Sequence, residues 1–238
     1  MRSSDARASV YQRIALDAGS DAGRLVAPFE TARHEGAIGV VLEPRDARNG
    51  SQVPAAERFR ADALEVAAGL AGGEPDPLEV LVEVASSREA EEALEGPASG
   101  IVVSSRTGAG DVRGIAELVA ASTSPGTAWV PERLTAAFEE LPDRGWSFVV
   151  EVEVSALGGR PEHPKGALLG CAIPAPAAAG PGAVEALTTI AVAGGVRRLL
   201  AHDTRVVRRC ADVAMELVLA ERRLEASDDT AGEGVSGR

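Results

Sequence analysis

The sequence has little lysine, few aromatic residues and few cysteines. Lys165 is the single lysine among 24 basic residues, aromatic side chains make up 3% of the chain, and there are two cysteines. Cys171 and Cys210 stand far apart in apolar stretches, which is the pattern of buried thiols and not of a disulfide framework or a CxxC metal site. We therefore expect neither cysteine to bind a metal.

Other absences exclude further classes of protein. The chain holds no apolar run of the roughly 20 residues that a membrane span needs, and no basic segment followed by an apolar one opens it, so we expect a cytoplasmic protein. With 24 Lys and Arg against 36 Asp and Glu, the net charge is −12, which argues against nucleic-acid binding. The three histidines form no HExxH motif and no GxSxG motif occurs, so neither zinc nor serine hydrolysis is expected.

Short apolar runs rich in β-branched residues alternate with stretches of helical spacing. This alternation predicts parallel strands joined by helical crossovers. The predicted strands are 10–16, 37–42, 78–84, 101–103, 127–130, 148–154, 167–173 and 198–202. The predicted helices are 24–34, 55–70, 88–94, 112–121, 132–141, 182–193 and 204–224. Eight such units favour a closed (β/α)8 TIM barrel over the alternative, an open doubly wound sheet.

One domain is predicted, over residues 1–225. Residues 226–238 form an acidic tail of Ser, Asp, Gly and Glu. Because this tail has too little apolar surface to offset the entropy of ordering it, we expect it to be disordered.

Several stretches match one family in order and spacing. Residues 35–43 read E-G-A-I-G-V-V-L-E, followed by R-N-G at 48–50 and V-P-A-A-E-R-F at 53–59. They resemble the second strand of dihydropteroate synthases, G-A-D-I-I-D-x-G-G-E-S-T-R-P-G, and the V-S-x-x-E-E that opens the next helix. Residues 195–204, G-V-R-R-L-L-A-H-D-T, look like the family's closing strand, G-A-x-I-x-R-V-H-D-V. Residues 80–104 are similar to V-D-T … A-A-L … I-I-N-D, so the resemblance covers residues 10–224.

The resemblance implies an eight-fold β/α barrel that joins a dihydropterin methyl pyrophosphate to p-aminobenzoate, with its reacting groups at the C-terminal ends of the strands. It also implies that most of these groups have changed. The first-strand Asn of the family's magnesium and pyrophosphate site has no counterpart, the nearest stretch being residues 15–19, which argues against magnesium and leaves no expected cofactor. The seventh-strand Lys falls within A-I-P-A at 172–175, and the last-strand Arg falls on Leu200.

Five residues remain as candidates for substrate binding, although none is assigned a catalytic role. By resemblance, Glu83 takes the place of the third-strand Asp, Glu151 that of the sixth-strand Asp, and His202 is unchanged. Arg106, after the fourth strand, and Arg205, in the first turn of the last helix, are candidates for an anion site beside a helix N-terminus. Simpler readings stay open: solvated glutamates at the rim, a histidine packed against backbone, and a plain turn at 104–110, where a phosphate cradle would need GxGxxG or a Walker Lys.

The last helix carries more apolar surface than a barrel needs. Val206, Cys210, Val213 and Leu217 repeat at helical spacing and predict a stripe that covers the barrel. Met215, Val218 and Leu219 widen this surface and hint at a subunit contact, and the family resemblance implies a dimer. Two functions follow: a synthase-like protein of pterin metabolism with lost or altered activity that takes a pterin or a phosphate-bearing molecule, or a non-catalytic barrel that binds a partner such as a true synthase.

Overall fold

Eight parallel strands close into a barrel in the computed structural model, each strand pairing with its neighbours in chain order. The structure describes residues 7–17, 22–45, 63–72, 77–138, 146–156, 167–180 and 182–232. The strands are β1 Ser9–Asp17, β2 Gly39–Arg45, β3 Glu79–Val84, β4 Gly100–Val103, β5 Thr127–Pro131, β6 Ser147–Glu151, β7 Leu168–Ala172 and β8 Arg198–Ala201. Pairing of β1 with β8 completes the ring, which confirms the predicted barrel and excludes the open sheet.

Helices connect successive strands and cover the outside of the barrel. They are α1 Val26–His34, which follows a 3-10 turn at Ala22–Leu25, α2 at residues 63–71, α3 Ser87–Glu95, α4 Ala109–Ala121, α5 Pro176–Ala179, α6 Ala183–Ala193 and α7 Thr204–Gly232. Two further 3-10 segments lie at Glu132–Phe138 and Val154–Ala156. No helix among the described residues is both long and apolar enough to cross a membrane.

The barrel interior is packed with side chains that alternate along the strands. One buried cluster lies inside the ring, separate from the larger apolar layer between strands and helices; it consists of Tyr11, Val41, Leu81, Val102, Trp129, Val149 and Leu200. Two glycines make room for its two large rings: a Cβ at Gly39, on the neighbouring strand β2, would lie 2.8 Å from Tyr11 Cδ1, and one at Gly170, on β7, would lie 2.5 Å from Trp129 Cζ2. The interior is therefore a filled core, as in other barrels of this kind.

Several predicted boundaries differ from those observed. The helix expected at 132–141 is a 3-10 segment over Glu132–Phe138, and residues 139–141 lie outside the described residues, as do 55–62 of the second predicted helix. The sixth strand ends at Glu151 instead of residue 154. The last helix runs to Gly232 instead of residue 224 and so includes residues 226–232 of the tail expected to be disordered. Residues 233–238 lie outside the described part, and for them the disorder stays a prediction.

The predicted barrel-facing stripe of α7 was wrong except at Val206, which is half-buried and packs against the core. The residues of α7 that pack on the barrel are Thr204, Val207, Ala211, Ala214 and Met215. In contrast, Val213 and Leu217 are each 63% exposed, and Val206 and Cys210 are half-buried. Both cysteines are free, and only Cys171 is fully buried as expected.

Candidate active site at the barrel mouth

The parallel strands bring the predicted strand-end residues to one end of the barrel. Glu83 lies near the end of β3, Ser104 directly follows β4, Glu151 ends β6 and His202 directly follows β8. All strands of the ring are parallel, so their C-terminal ends surround a single mouth. This agrees with the expectation that Glu83, Glu151 and His202 lie at the C-terminal ends of the strands.

Arg13 reaches Glu83 across the first strands of the mouth. Its Nη2 atom lies 3.6 Å from Glu83 Oε2, and the two side chains are 20% and 12% exposed. Arg13 is two residues beyond Tyr11 on β1 and Glu83 is two beyond Leu81 on β3, so both lie on the inward side of their strands. The mouth therefore holds an ion pair that is largely removed from solvent.

Sequence reasoning missed Arg13 because the first strand matches no motif of the family. A signal existed nevertheless. In the segment Y-Q-R-I-A-L-D at 11–17, strand alternation places Arg13 on the same side as Tyr11, and an arginine on the inward side of a barrel strand must meet a carboxylate or solvent.

Trp129 fixes the second carboxylate of the mouth. The indole Nε1 donates a hydrogen bond of 2.8 Å to Glu151 Oε2. Burial raises the pKa of Glu151 above its usual range; the hydrogen bond from Trp129 and the positive charge of Arg13 oppose this shift, while the negative charge of Glu83 adds to it. Arg13 and Glu83 thus act electrostatically on Glu151, in opposite directions.

The floor of the mouth is closed by the packed interior. Tyr11 and Trp129 meet edge to face with ring centroids 5.9 Å apart. Below them the Tyr11 hydroxyl donates to Glu79 Oε2 at 2.8 Å and accepts from Arg198 Nη1 at 2.8 Å, and Thr127 Oγ1 donates to Glu79 at 3.3 Å. This polar layer closes the opposite end of the barrel, and Trp129 above it is fully buried.

The other predicted site residues lie at the rim or outside it. Arg106 and His202 are exposed. The N–H of Thr107 donates to the carbonyl of Ser104, and the N–H of Arg106 to the hydroxyl of Ser104 at 3.4 Å. Because the turn uses these donors itself, the loop at 104–110 is built as a turn and not as an open phosphate cradle.

The start of α7 offers its backbone donors to carboxylates of the same chain. Arg205 is exposed, and its N–H donates to Glu35 Oε2 at 3.1 Å. Asp203 Oδ1 accepts from the N–H of Val206 at 3.1 Å and so caps the helix, as expected for Asp at this position. Two carboxylates therefore occupy the place where a bound anion was predicted.

In the described part of the chain, no group of three or more His, Cys, Asp or Glu residues is arranged to hold a metal ion. Burial raises the pKa of the Cys171 thiol to about 12, with the charge of Glu151 adding to the shift, so this cysteine is protonated and unreactive at neutral pH. Leu200 is fully buried inside the barrel, and Ala172 packs against the same cluster.

Comparison with solved structures identifies the fold. The structure is similar to the dihydropteroate synthase of Burkholderia cenocepacia complexed with 7,8-dihydropteroate, with a TM-score of 0.69 and 13% identity over 91% of this chain and 94% of that one. It is also similar to the dihydropteroate synthase of Coxiella burnetii in complex with pteroic acid, with a TM-score of 0.66 and 15% identity over 90% and 94% of the two chains. The synthase of Thermus thermophilus gives 0.60 and 18% over 87% and 93%.

These likenesses establish that the chain has the fold of dihydropteroate synthases. No protein-family model matches the sequence. No curated protein matches it significantly either.

Proposed function

We propose that this chain is a barrel of folate-pathway ancestry that does not catalyse the dihydropteroate synthase reaction. One observation carries the proposal: Arg13, a cation inside the mouth, is already within ion-pair distance of Glu83. Where the family resemblance expects the substrate-binding Lys and the pyrophosphate-binding Arg, the chain has the short segment 172–175 and Leu200. Leu200 is buried among apolar side chains.

The chemistry of the reaction makes these changes costly. Joining a pterin methyl pyrophosphate to an amine releases pyrophosphate, so negative charge on the leaving group must be stabilised in the transition state. Removing one preorganised donor from such a site typically costs about 2.7–4 kcal/mol. Loss of two such groups, together with the first-strand Asn, therefore brings the expected rate below detection.

The direct test is a condensation assay with the purified chain, dihydropterin methyl pyrophosphate, p-aminobenzoate and magnesium. We expect no product above the no-protein blank, while a bacterial dihydropteroate synthase assayed in parallel turns over. Product formation, or growth of a synthase-deficient bacterial strain supplied with this chain, would overturn the proposal.

A second candidate function is binding to another protein, and the exposed face of α7 favours it. Among the described residues the exposed large apolar side chains are Val26, Ile190, Val213, Leu217 and Leu224, and the last four belong to α6 and α7. We call Cys210, Val213, Leu217, Ala220 and Leu224 the α7 stripe. Their spacing of 3, 4, 3 and 4 residues is that of a helix packed against another helix, which suits a homodimer or a complex with a true synthase.

Sedimentation of the chain alone and mixed with a synthase tests this second candidate. We expect self-association or complex formation that Leu217→Asp weakens and Val26→Asp leaves unchanged, because Val26 is 39% exposed but belongs to α1 and not to the stripe. A monomer that binds no synthase, or equal effects of the two variants, would contradict it. A pterin or phosphate-bearing ligand and a cytoplasmic location stay predictions.

A further inference from the structure

Three charged residues border the α7 stripe on its open side. Arg209, Glu216 and Arg223 are exposed, lie one heptad apart, and each directly precedes a residue of the stripe. On the other side of the stripe, Val207 and Ala214 are buried against the barrel, so a partner helix would meet the charged border. Residues in such flanking positions face the flanking residues of an opposing helix and select it by charge.

Two of these border charges have no partner of opposite sign at helical spacing. Near the start of α7, Arg208 pairs with Asp212, four positions along, at 3.2 Å. Glu216 and Arg223 differ, because no residue of opposite charge stands three or four positions from either of them in the sequence. Side chains at those spacings are the neighbours on a helix surface. The order of charges along the border therefore matters more for a contact with another helix than for the stability of α7.

A second copy of α7 matches this border only in part. In the antiparallel register that covers every stripe residue with an apolar one, Arg209 of one copy faces Arg223 of the other. In the same register Glu216 faces its own counterpart, and like charges at these positions destabilise a helix pair. Sliding one copy by a heptad brings Glu216 opposite Arg223 but leaves Cys210 beyond the other copy's apolar row. Neither register satisfies both the stripe and its border.

We propose that the α7 stripe docks a helix of a different protein, one with apolar residues at heptad spacing and a border that reads acid, base, acid. Such a helix sets carboxylates against Arg209 and Arg223 and a cation against Glu216, while its apolar row covers the whole stripe. The inference rests on the second candidate function, binding to another protein, and selects a different protein over a second copy.

Designed peptides test the pattern directly. Two peptides of three heptads carry leucine at the apolar positions and glutamine on one flank; the other flank reads Glu-Lys-Glu in the first peptide and Lys-Glu-Lys in the second. A third peptide has the sequence of residues 204–224 and represents a second copy. By fluorescence anisotropy at low salt, the Glu-Lys-Glu peptide should bind about tenfold more tightly than either of the others. Added salt should reduce this preference, because it screens exposed charges.

Charge reversal in the chain should invert the preference. The triple variant Arg209→Glu, Glu216→Arg, Arg223→Glu should bind the Lys-Glu-Lys peptide about tenfold more tightly than the Glu-Lys-Glu peptide. The matched control reverses Arg113 and Glu117, an exposed ion pair of α4 with 3.0 Å between its atoms. This control should keep the wild-type preference for Glu-Lys-Glu.

A further variant separates the stripe from its border. Leu217→Asp places a charge in the apolar row at a position that is 63% exposed, so the barrel should fold while the affinity for the Glu-Lys-Glu peptide falls at least about tenfold. Undiminished binding by this variant would overturn the inference, because the peptide would then bind elsewhere.

Two other outcomes would overturn the choice of partner: equal affinity of the two designed peptides, or a 204–224 peptide that binds as tightly as Glu-Lys-Glu. The second of these would favour the homodimer, and in both the stripe remains a docking face. No binding of any peptide, together with no association in sedimentation, would refute the second candidate function as well. The condensation assay is independent of all these results.

Discussion

Replacing Glu151 with glutamine separates the charge of the mouth from its shape. In the wild type, Trp129 Nε1 donates to Glu151 Oε2 at 2.8 Å. Glutamine keeps the volume of the side chain and an oxygen that can accept this hydrogen bond. It removes only the ionisable proton. Because burial raises the pKa of Glu151 despite the opposing hydrogen bond and the charge of Arg13, ionising this carboxyl costs the folded state free energy.

The sign of the pH dependence follows from that shift. In the unfolded chain a glutamate loses its proton at a pH of about 4.3. In the folded chain Glu151 loses its proton at a higher pH, because its pKa is raised. Between these two pH values, the folded protein binds more protons than the unfolded one, so wild-type stability falls as pH rises, by at most about 1.4 kcal/mol per pH unit. Glu151→Gln lacks this loss, and its stability relative to the wild type should grow through the window and then stay constant.

Urea unfolding followed by circular dichroism from mildly acidic to neutral pH measures this difference. Glu153→Gln is the matched control, because Glu153 is exposed two residues farther along and its replacement should change stability little at any pH. A difference between Glu151→Gln and the wild type that is flat with pH, or that shrinks as pH rises, would refute the account of Glu151.

Three further predictions concern the barrel and the start of α7. Gly170→Ala should lower the free energy of unfolding in urea by about 1–3 kcal/mol, since its Cβ would lie 2.5 Å from Trp129 Cζ2. The control Gly69→Ala, at a helical position where a Cβ meets nothing within 4 Å, should raise that free energy. A Gly170→Ala variant as stable as the wild type would contradict the packing around Trp129. Tyr11→Phe should lower the free energy of unfolding by about 1–3 kcal/mol in the same assay, because Glu79 and Arg198 each lose a hydrogen-bond partner. An unchanged stability would show that water replaces the Tyr11 hydroxyl in the polar layer at the closed end of the barrel. Weak phosphate binding, measured by calorimetry, should increase in Glu35→Gln, which removes the charge beside the Arg205 N–H, and be lost in Arg205→Ala; no change in Glu35→Gln counts against an anion site there.

Local patterns were enough to predict the strands and the common mouth. Each strand is a short apolar run, and parallel pairing alone carries Glu83 and Glu151 to the same end of the barrel. The contacts that define the site are different in kind. Arg13 meets Glu83 across 70 positions of sequence. The hydrogen bond from Trp129 to Glu151 depends on the depth of each side chain in the ring, and no spacing along one strand encodes that depth.

Helix α7 shows why periodicity alone misassigned a face. The helix has two apolar sides, and the larger residues form the α7 stripe. The side that packs on the barrel uses Ala211 and Ala214, which are 1% and 2% exposed. Small residues let a helix approach the strands closely, so the barrel takes the less hydrophobic side and leaves Val213 and Leu217 outward. Hydrophobicity ranks the two sides in the wrong order, because the fit to the neighbouring surface decides between them.

The placement of charge in the mouth connects the fold to the proposed loss of chemistry. A cation assists the departure of pyrophosphate only if its donors are free to meet the developing negative charge. In this barrel Arg13 stands on β1 and faces Glu83, so moving it onto a phosphate would leave a largely buried carboxylate unpaired, at a cost typical of broken buried ion pairs. Because Arg13 faces this carboxylate, it is poorly placed to bind the anionic part of a synthase substrate.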